Sequence, residues 1–431
     1  MNIRYNTIDS GLFIENRKRF AAMLAKKSVA IINSNDEMPR SADQNFVFRQ
    51  NSDLFYLTGI DQEDTALFLF PDAPTPEQRE ILFILRTNEH IAVWEGHKYT
   101  KEEARAQSGI QTIFWYDEFY TATARLMLAA DTIYYNSNEN PRYASDVQYR
   151  DLRLLADMRS RYPLHKYERA APLLTHLREV KSQPEVAVMQ QAIDITEKAF
   201  RRVLGFIKPG VAEYEIEAEI IHEFIRNRAQ GHAYTPIIAS GKNACVLHYI
   251  ANNGPCADGE LILMDFGSEY GNYISDLTRC VPVNGKFSPR QKDVYNAVLR
   301  VMKQATAMLV VGNTFTEYNK AVGAIMEQEL IGLGLLKADE VAKQDPAAPL
   351  YKKYFMHGTS HFLGIDVHDV GDYNAPFRAG NCFSCEPGIY IPEEGLGIRI
   401  ENNILITTDG PVDLMANIPI EVEEIEALMA K

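Results

Sequence analysis

The stretch Leu261-Ile-Leu-Met-Asp265-Phe-Gly267-Ser-Glu-Tyr-Gly-Asn272-Tyr-Ile-Ser-Asp276-Leu-Thr-Arg-Cys-Val-Pro-Val283 reads as a β-hairpin carrying two facing carboxylates. Leu261 to Gly267 forms one strand and Tyr273 to Val283 the other. Glu269-Tyr-Gly-Asn272 forms the turn, with Gly271 tolerating the positive φ that two-residue hairpins need. Taking Tyr270 and Gly271 as the loop pairs residue 269 with 272 and, counting back, Asp265 with Asp276. Directly opposed residues share a face, with Cβ atoms roughly 4.5–5.5 Å apart. Leu261, Ile262, Leu263, Met264 and Phe266 are apolar on both faces, so the strand is expected to be covered on both sides. Two anions at that separation repel by several kcal/mol at an effective dielectric of about 20. A proton or a cation must therefore lie between Asp265 and Asp276.

Upstream of the hairpin, Ser182-Gln-Pro-Glu185 is a capping box that opens a helix with Val186, Met189, Ile193, Phe200 and Val203 on one face. A second helix is expected from Glu213 to Gln230, stopped by Gly231. Downstream, Ser288-Pro-Arg-Gln291 is another capping box, opening a helix to Val311 that ends at Gly312. Strands are expected from about residue 362 to 407, after a surface loop at 339–349. Pro209-Gly…Glu213-Tyr214 is echoed by Gly312…Glu317-Tyr318, a short hint of duplicated helices and hairpins. Residues 1 to about 175 instead mix apolar runs of strand length, at 28–33, 66–70, 81–85 and 132–135, with polar segments, an α/β pattern without a glycine-rich phosphate loop.

At 431 residues the chain suits two domains, and 46% hydrophobic with 24% charged residues is an ordinary globular balance. A net charge of −14 disfavours nucleic acid or an anionic membrane as partner. Five cysteines (245, 256, 280, 382 and 385) are scattered through apolar sequence, which excludes a disulfide framework; Cys382 and Cys385 read as packing residues. The N-terminus has no apolar leader and no run approaches 18 apolar residues, so a soluble cytoplasmic protein is expected.

The segment from His357 to Asp369 holds three of the ten histidines, His357, His361 and His368. His357 and His361 have the spacing of a zinc-protease helix, but Gly358 replaces the glutamate base of that motif and glycines 358 and 364 weaken a helix. Glu386 and Glu401 follow in apolar strand sequence. Glu401 shares a face with Arg399 two residues away, so a buried ion pair between them is one reading. The other takes Asp265, Asp276, Glu386 and Glu401 together with His361. Four carboxylates and one imidazole have the composition of a two-metal site, in which two divalent cations balance four anions. That donor set suits manganese, cobalt or iron better than a thiolate-type zinc site.

The order Asp265…Asp276…His361…Glu386…Glu401 resembles the metallopeptidase family with the pita-bread fold, and His357 to Asp369 fits its proline-peptidase signature. The resemblance extends to Pro39-Arg-Ser-Ala-Asp43, to Phe48-Arg-Gln-Asn-Ser-Asp-Leu-Phe-Tyr-Leu-Thr-Gly59 and to Glu423–Met429, which look like the bacterial aminopeptidase P branch. It implies an α/β protein with a creatinase/aminopeptidase-P-like domain at 1–175 and a duplicated helix-hairpin catalytic domain at 176–431. The implied activity is Xaa-Pro aminopeptidase, with prolidase or a non-catalytic binding protein on the same fold as alternatives. The implied cofactor is two divalent metals, manganese first, with cobalt, iron or zinc as alternatives. Asp276 and Glu401 would bridge them, Asp265 would hold one, and His361 and Glu386 the other. Glu386 would also shuttle the proton of the attacking water. His248 and His368 match histidines that steady the substrate carbonyl, and His357 and Arg399 match residues lining a proline pocket. Trp94 matches a tryptophan that reaches a neighbouring subunit, implying a homo-oligomer, dimer or tetramer. The stretch from Tyr373 to Cys385 is shorter than in that branch, so Arg378 is given no role.

Overall fold

The computed structural model describes residues 4–140 and 145–430. The chain divides into two compact units, Met1–Arg178 and Glu179–Lys431. The first is built on a six-stranded mixed sheet in the order Thr112–Trp115, Glu80–Ile84, Ala66–Leu69, Ser28–Asn33, Thr132–Tyr135, Lys166–Arg169. Its central strands are buried along their whole length, which explains why they read as continuous apolar runs. Phe68, Phe83, Phe119, Met127 and Ile133 sit in the core on that sheet.

The second unit shows the duplication. The helices Gln183–Phe206 and Glu213–Arg226 precede a first set of antiparallel strands, Ile237–Ser240, Leu261–Phe266 and Leu277–Pro282. Pro289–Ala307 and Phe315–Gly332 precede a second set, Cys382–Cys385, Asn402–Thr407 and Gly410–Asp413. The capping box at Ser288/Gln291 is formed in both directions, and at Ser182/Glu185 the Glu185 carboxylate accepts from both the Ser182 N–H and its hydroxyl. The second helix stops at Arg226 rather than Gln230. Arg228 takes the left-handed conformation (φ 74°), and the Ala229 N–H turns back to the Phe224 carbonyl, so Arg228 fills the terminating position expected of Gly231. The fourth-quarter strands begin at Cys382, not 362. The His-bearing segment before them is irregular and runs against the strand Cys382–Cys385, with a bridge at Phe362–Phe383 and hydrogen bonds from the Leu363 N–H to the Cys382 carbonyl and from the Ser384 N–H to the His361 carbonyl.

The hairpin register differs from the count by two residues. Asp265 pairs with Thr278, and Glu269 pairs with Ile274, because the loop is Gly271-Asn272. Both residues are left-handed (φ 58° and 61°), the type I′ geometry that matches strand twist, and asparagine tolerates it where Tyr270 would not. A slip of two keeps Asp265 and Asp276 on one face. At Gly267 an added Cβ would lie 1.7 Å from the Ser275 carbonyl oxygen, so this close crossing next to Asp276 requires glycine. The two strand sets join beside it. The Glu401 N–H donates to the Thr278 carbonyl, and Asn403 exchanges hydrogen bonds with the Asp276 backbone in both directions.

Candidate metal centre

At that join the five expected ligands converge. Asp276, His361 and Glu401 each offer an atom within 4.8 Å of the others. His361 Nε2 lies 3.4 Å from Asp276 Oδ2 and 3.4 Å from Glu386 Oε1. The Tyr234 hydroxyl reaches Asp265 Oδ1 at 2.7 Å and also touches Asp276 Oδ1. Tyr234 carries one phenolic hydrogen and so serves one of these carboxylates at a time.

His361 and Glu401 are aimed by their surroundings. His361 Nδ1–H donates to the Phe362 carbonyl at 2.9 Å, which leaves Nε2 to face the carboxylates. Thr278 Oγ1 donates to Glu401 Oε2 at 2.7 Å. The other oxygen, Glu401 Oε1, is buried and has no hydrogen-bond partner among the described residues. An orphaned carboxylate oxygen in a dry site is the position a cation would satisfy. The donor set therefore fits divalent metal.

The electrostatics agree. Burial is the main cause that raises the Glu386 carboxyl to about 7, opposed by His361 and Arg399 and reinforced by Asp276. Burial likewise pushes Glu401 well above the usual carboxylate range, with the Asp276 and Glu386 charges adding to it. Asp265 is raised by burial against the pull of Arg399. Burial would lower the His361 pKa, but its contact with Asp276 and the charge of Glu386 carry it up to about 9.

Arg399 does not pair with Glu401. The strand Leu396–Arg399 ends before Ile400, and the guanidinium turns to Asp265 Oδ2 at 2.6 Å, Thr278 Oγ1 at 3.2 Å and the Tyr390 hydroxyl at 2.9 Å. Tyr390 also contacts His357 Nε2 at 2.8 Å, while His357 Nδ1 contacts the Gly358 carbonyl. Burial, helped by Arg399, lowers the His357 pKa to about 4, so this imidazole is neutral. A polarised chain thus runs from Arg399 through Tyr390 to His357.

The His368 ring lies 4.1 Å from the His361 ring, centroid to centroid. His248 is exposed, on the loop after the short helix Gly241–Cys245. That loop is organised by buried Glu213, whose carboxylate accepts from Ser240 N, Asn243 Nδ2, the Tyr249 hydroxyl and Gly254 N at 2.7–2.9 Å. Trp94 is 80% exposed on the helix Glu89–Glu95 of the first unit, and the grouping above does not include it. Arg378 is paired with Glu179. Sequence reasoning missed Tyr234, Thr278, Tyr390 and Glu213. None stands in a recognisable motif: Thr278 and Tyr390 follow Asp276 and Glu386 closely in sequence, while Tyr234 and Glu213 lie upstream of the hairpin.

A buried carboxylate–imidazole cluster at the join of two helix-hairpin repeats defines a metallopeptidase of the pita-bread class. Residues 187–408 match metallopeptidase family M24 and residues 13–134 match the aminopeptidase P N-terminal domain. The chain is 35% identical to the Xaa-Pro aminopeptidase of Haemophilus influenzae, across 97% of this chain and 96% of that one. Its fold superposes on aminopeptidase PepP of Pseudomonas aeruginosa with a TM-score of 0.89 at 32% identity, covering 98% of each chain. It also superposes on zinc-substituted Escherichia coli aminopeptidase P in complex with product, with a TM-score of 0.88 at 32% identity over 98% of this chain and 99% of that one. The chain belongs to metallopeptidase family M24 and joins an aminopeptidase P N-terminal domain to the family's catalytic domain.

Proposed function

We propose that this protein is a two-metal Xaa-Pro aminopeptidase, releasing the first residue from peptides with proline second. The observation that carries the reading is the buried cluster with its orphaned Glu401 oxygen, in a chain similar throughout to Xaa-Pro aminopeptidases. Asp265, Asp276, His361, Glu386 and Glu401 would hold the two cations, with Asp276 and Glu401 serving both. Manganese suits this oxygen-rich set with one imidazole, and cobalt, iron and zinc are the competitors to score. Bound there, divalent cations polarise the scissile carbonyl and lower the pKa of water.

The remaining steps belong to the chain's own groups. Glu386 takes the proton of the attacking water and delivers it to the leaving nitrogen. His368, beside His361, and His248, on its Glu213-braced loop, donate to the substrate carbonyl as negative charge develops. Neutral His357, Tyr390 and Arg399 form the wall for the proline ring. Proline has no N–H to offer, so shape rather than hydrogen bonding must select it. Residues 1–175 serve as the aminopeptidase-P-like domain and 176–431 as the catalytic domain. Exposed Val93 and Trp94 support a homo-oligomer, dimer or tetramer, that contacts a neighbour through this helix. No described helix is long and apolar enough to cross a membrane, and a cytoplasmic location accompanies this reading.

The test is metal analysis of the purified protein together with hydrolysis of Xaa-Pro-Xaa and Xaa-Pro peptides, with Asp276→Ala and Glu401→Ala alongside. We expect two equivalents of metal, cleavage of tripeptides, and loss of both metal and turnover in either variant. Cleavage of dipeptides alone would make it a prolidase. Undiminished turnover after chelation would refute the reading.

A further inference from the structure

One buried ion pair stands outside the ligand set yet next to it. Lys181 Nζ lies 3.0 Å from Asp369 Oδ2, and both side chains are 1% exposed. Burying two charges costs desolvation that an apolar pair would avoid, so such a pair is poor evidence for stability and better evidence for fixed geometry.

The geometry it fixes is specific. Lys181 is anchored at its own backbone, where its N–H donates to the Gly380 carbonyl at 2.7 Å, immediately before the cap of the helix Gln183–Phe206. Its ammonium presses on the His-bearing segment at Gly364, where an added Cβ would lie 2.2 Å from Asp369 Oδ2 and 2.6 Å from Lys181 Cε. On the other side, the Asp369 N–H donates to the Phe362 carbonyl at 3.0 Å. That same carbonyl accepts from His361 Nδ1, setting the imidazole's direction. The segment 362–369 is therefore closed on itself at Phe362, held to the strands through the Leu363 N–H to the Cys382 carbonyl and the Ile274 N–H to the Gly364 carbonyl, and pinned at its far end at Asp369. His368 is the residue next to the pin, with its ring 4.1 Å from that of His361.

We propose that the Lys181–Asp369 pair is a positioning device for the reaction, a strut that holds the segment 362–369 so that His368 stands against His361 at the substrate carbonyl. Lys181 is a positioning residue and acts through His368. The proposal rests on the aminopeptidase reading above.

The test uses the manganese-loaded full-length enzyme and an Xaa-Pro-Xaa tripeptide. Lys181→Met is expected to lower kcat about 10–100-fold, the usual cost of losing an outer-shell support, with metal content unchanged. KM is expected to stay within about twofold, since ground-state binding does not depend on the strut. In a His368→Ala background, Lys181→Met should lower kcat by less than about twofold further, because residues acting as one unit are not additive. Lys181→Met removes the ammonium that faces Asp369 Oδ2, so the neutral pair Lys181→Gln/Asp369→Asn is measured in parallel and should show the same kcat loss. Full additivity with His368→Ala, unchanged kcat, or metal lost in step with activity would each overturn the strut. So would failure of both variants to fold, which would assign the pair to stability. An inactive wild type would instead overturn the aminopeptidase reading itself.

Discussion

Replacing Glu386 by glutamine in the metal-free protein should reveal how much the fold is strained by its own site. Burial is the largest cause raising the Glu386 carboxyl from 4.5 to about 7, and the side chain is 20% exposed. The folded state therefore holds the Glu386 proton more tightly than the unfolded chain does. The stability this proton contributes is fully present below pH about 4.5 and is lost as pH rises to about 7. The size follows from the shift: about 2.5 units at 1.36 kcal/mol each, or about 3 kcal/mol. His361, raised to about 9, works in the same direction over a higher window, its contribution present below 6.5 and lost toward 9. Glutamine cannot ionise, so the variant escapes the first loss. Chelator-treated wild type and Glu386→Gln should melt together near pH 4.5 and diverge by roughly 6–12 °C at pH 7.5, the variant being the more stable. Because cations favour the ionised carboxylates, manganese should restore the wild type at pH 7.5 and do little at pH 4.5. Parallel melting curves for the two proteins across this pH range would show that Glu386 is not strained as described.

Two further predictions concern residues outside the ligand set. Tyr234→Phe removes the one donor common to Asp265 and Asp276, and should weaken manganese affinity or turnover about 10–100-fold, as read by calorimetric titration and tripeptide hydrolysis. Glu213→Ala strips an acceptor from four donors of the loop bearing His248. Because hydrogen bonds to charged groups contribute about 1.5–3 kcal/mol each, it should cost upwards of about 3 kcal/mol in urea unfolding, and a cost under about 1 kcal/mol would mean that water replaces the carboxylate.

The local sequence carried the α/β pattern of the first unit, the two cap sites, the duplicated order of helices and hairpins, and the carboxylates and imidazole that the fold brings together. It did so because these are local quantities: apolar period, cap chemistry, and carboxylates in apolar strands. The hairpin illustrates both the reach and the limit. Its register was off by two, yet Asp265 and Asp276 still faced one another's side of the sheet, because side-chain facing repeats every two residues and survives a two-residue slip. Had the slip been one, the site would not have been readable at all.

What only the tertiary structure decided is which distant groups meet. Arg399 could pair with its near neighbour Glu401 by strand alternation, but the strand ends at Arg399 and the guanidinium is claimed by Asp265, 134 residues away. Tyr234, Thr278 and Glu213 gained their roles the same way, through contacts that no local period encodes. The unpaired oxygen of Glu401 could be seen only once every neighbour that might satisfy it had been placed. Sequence set the kinds of charge that had to be buried; folding set the distances between them, and at those distances buried carboxylates require protons or cations.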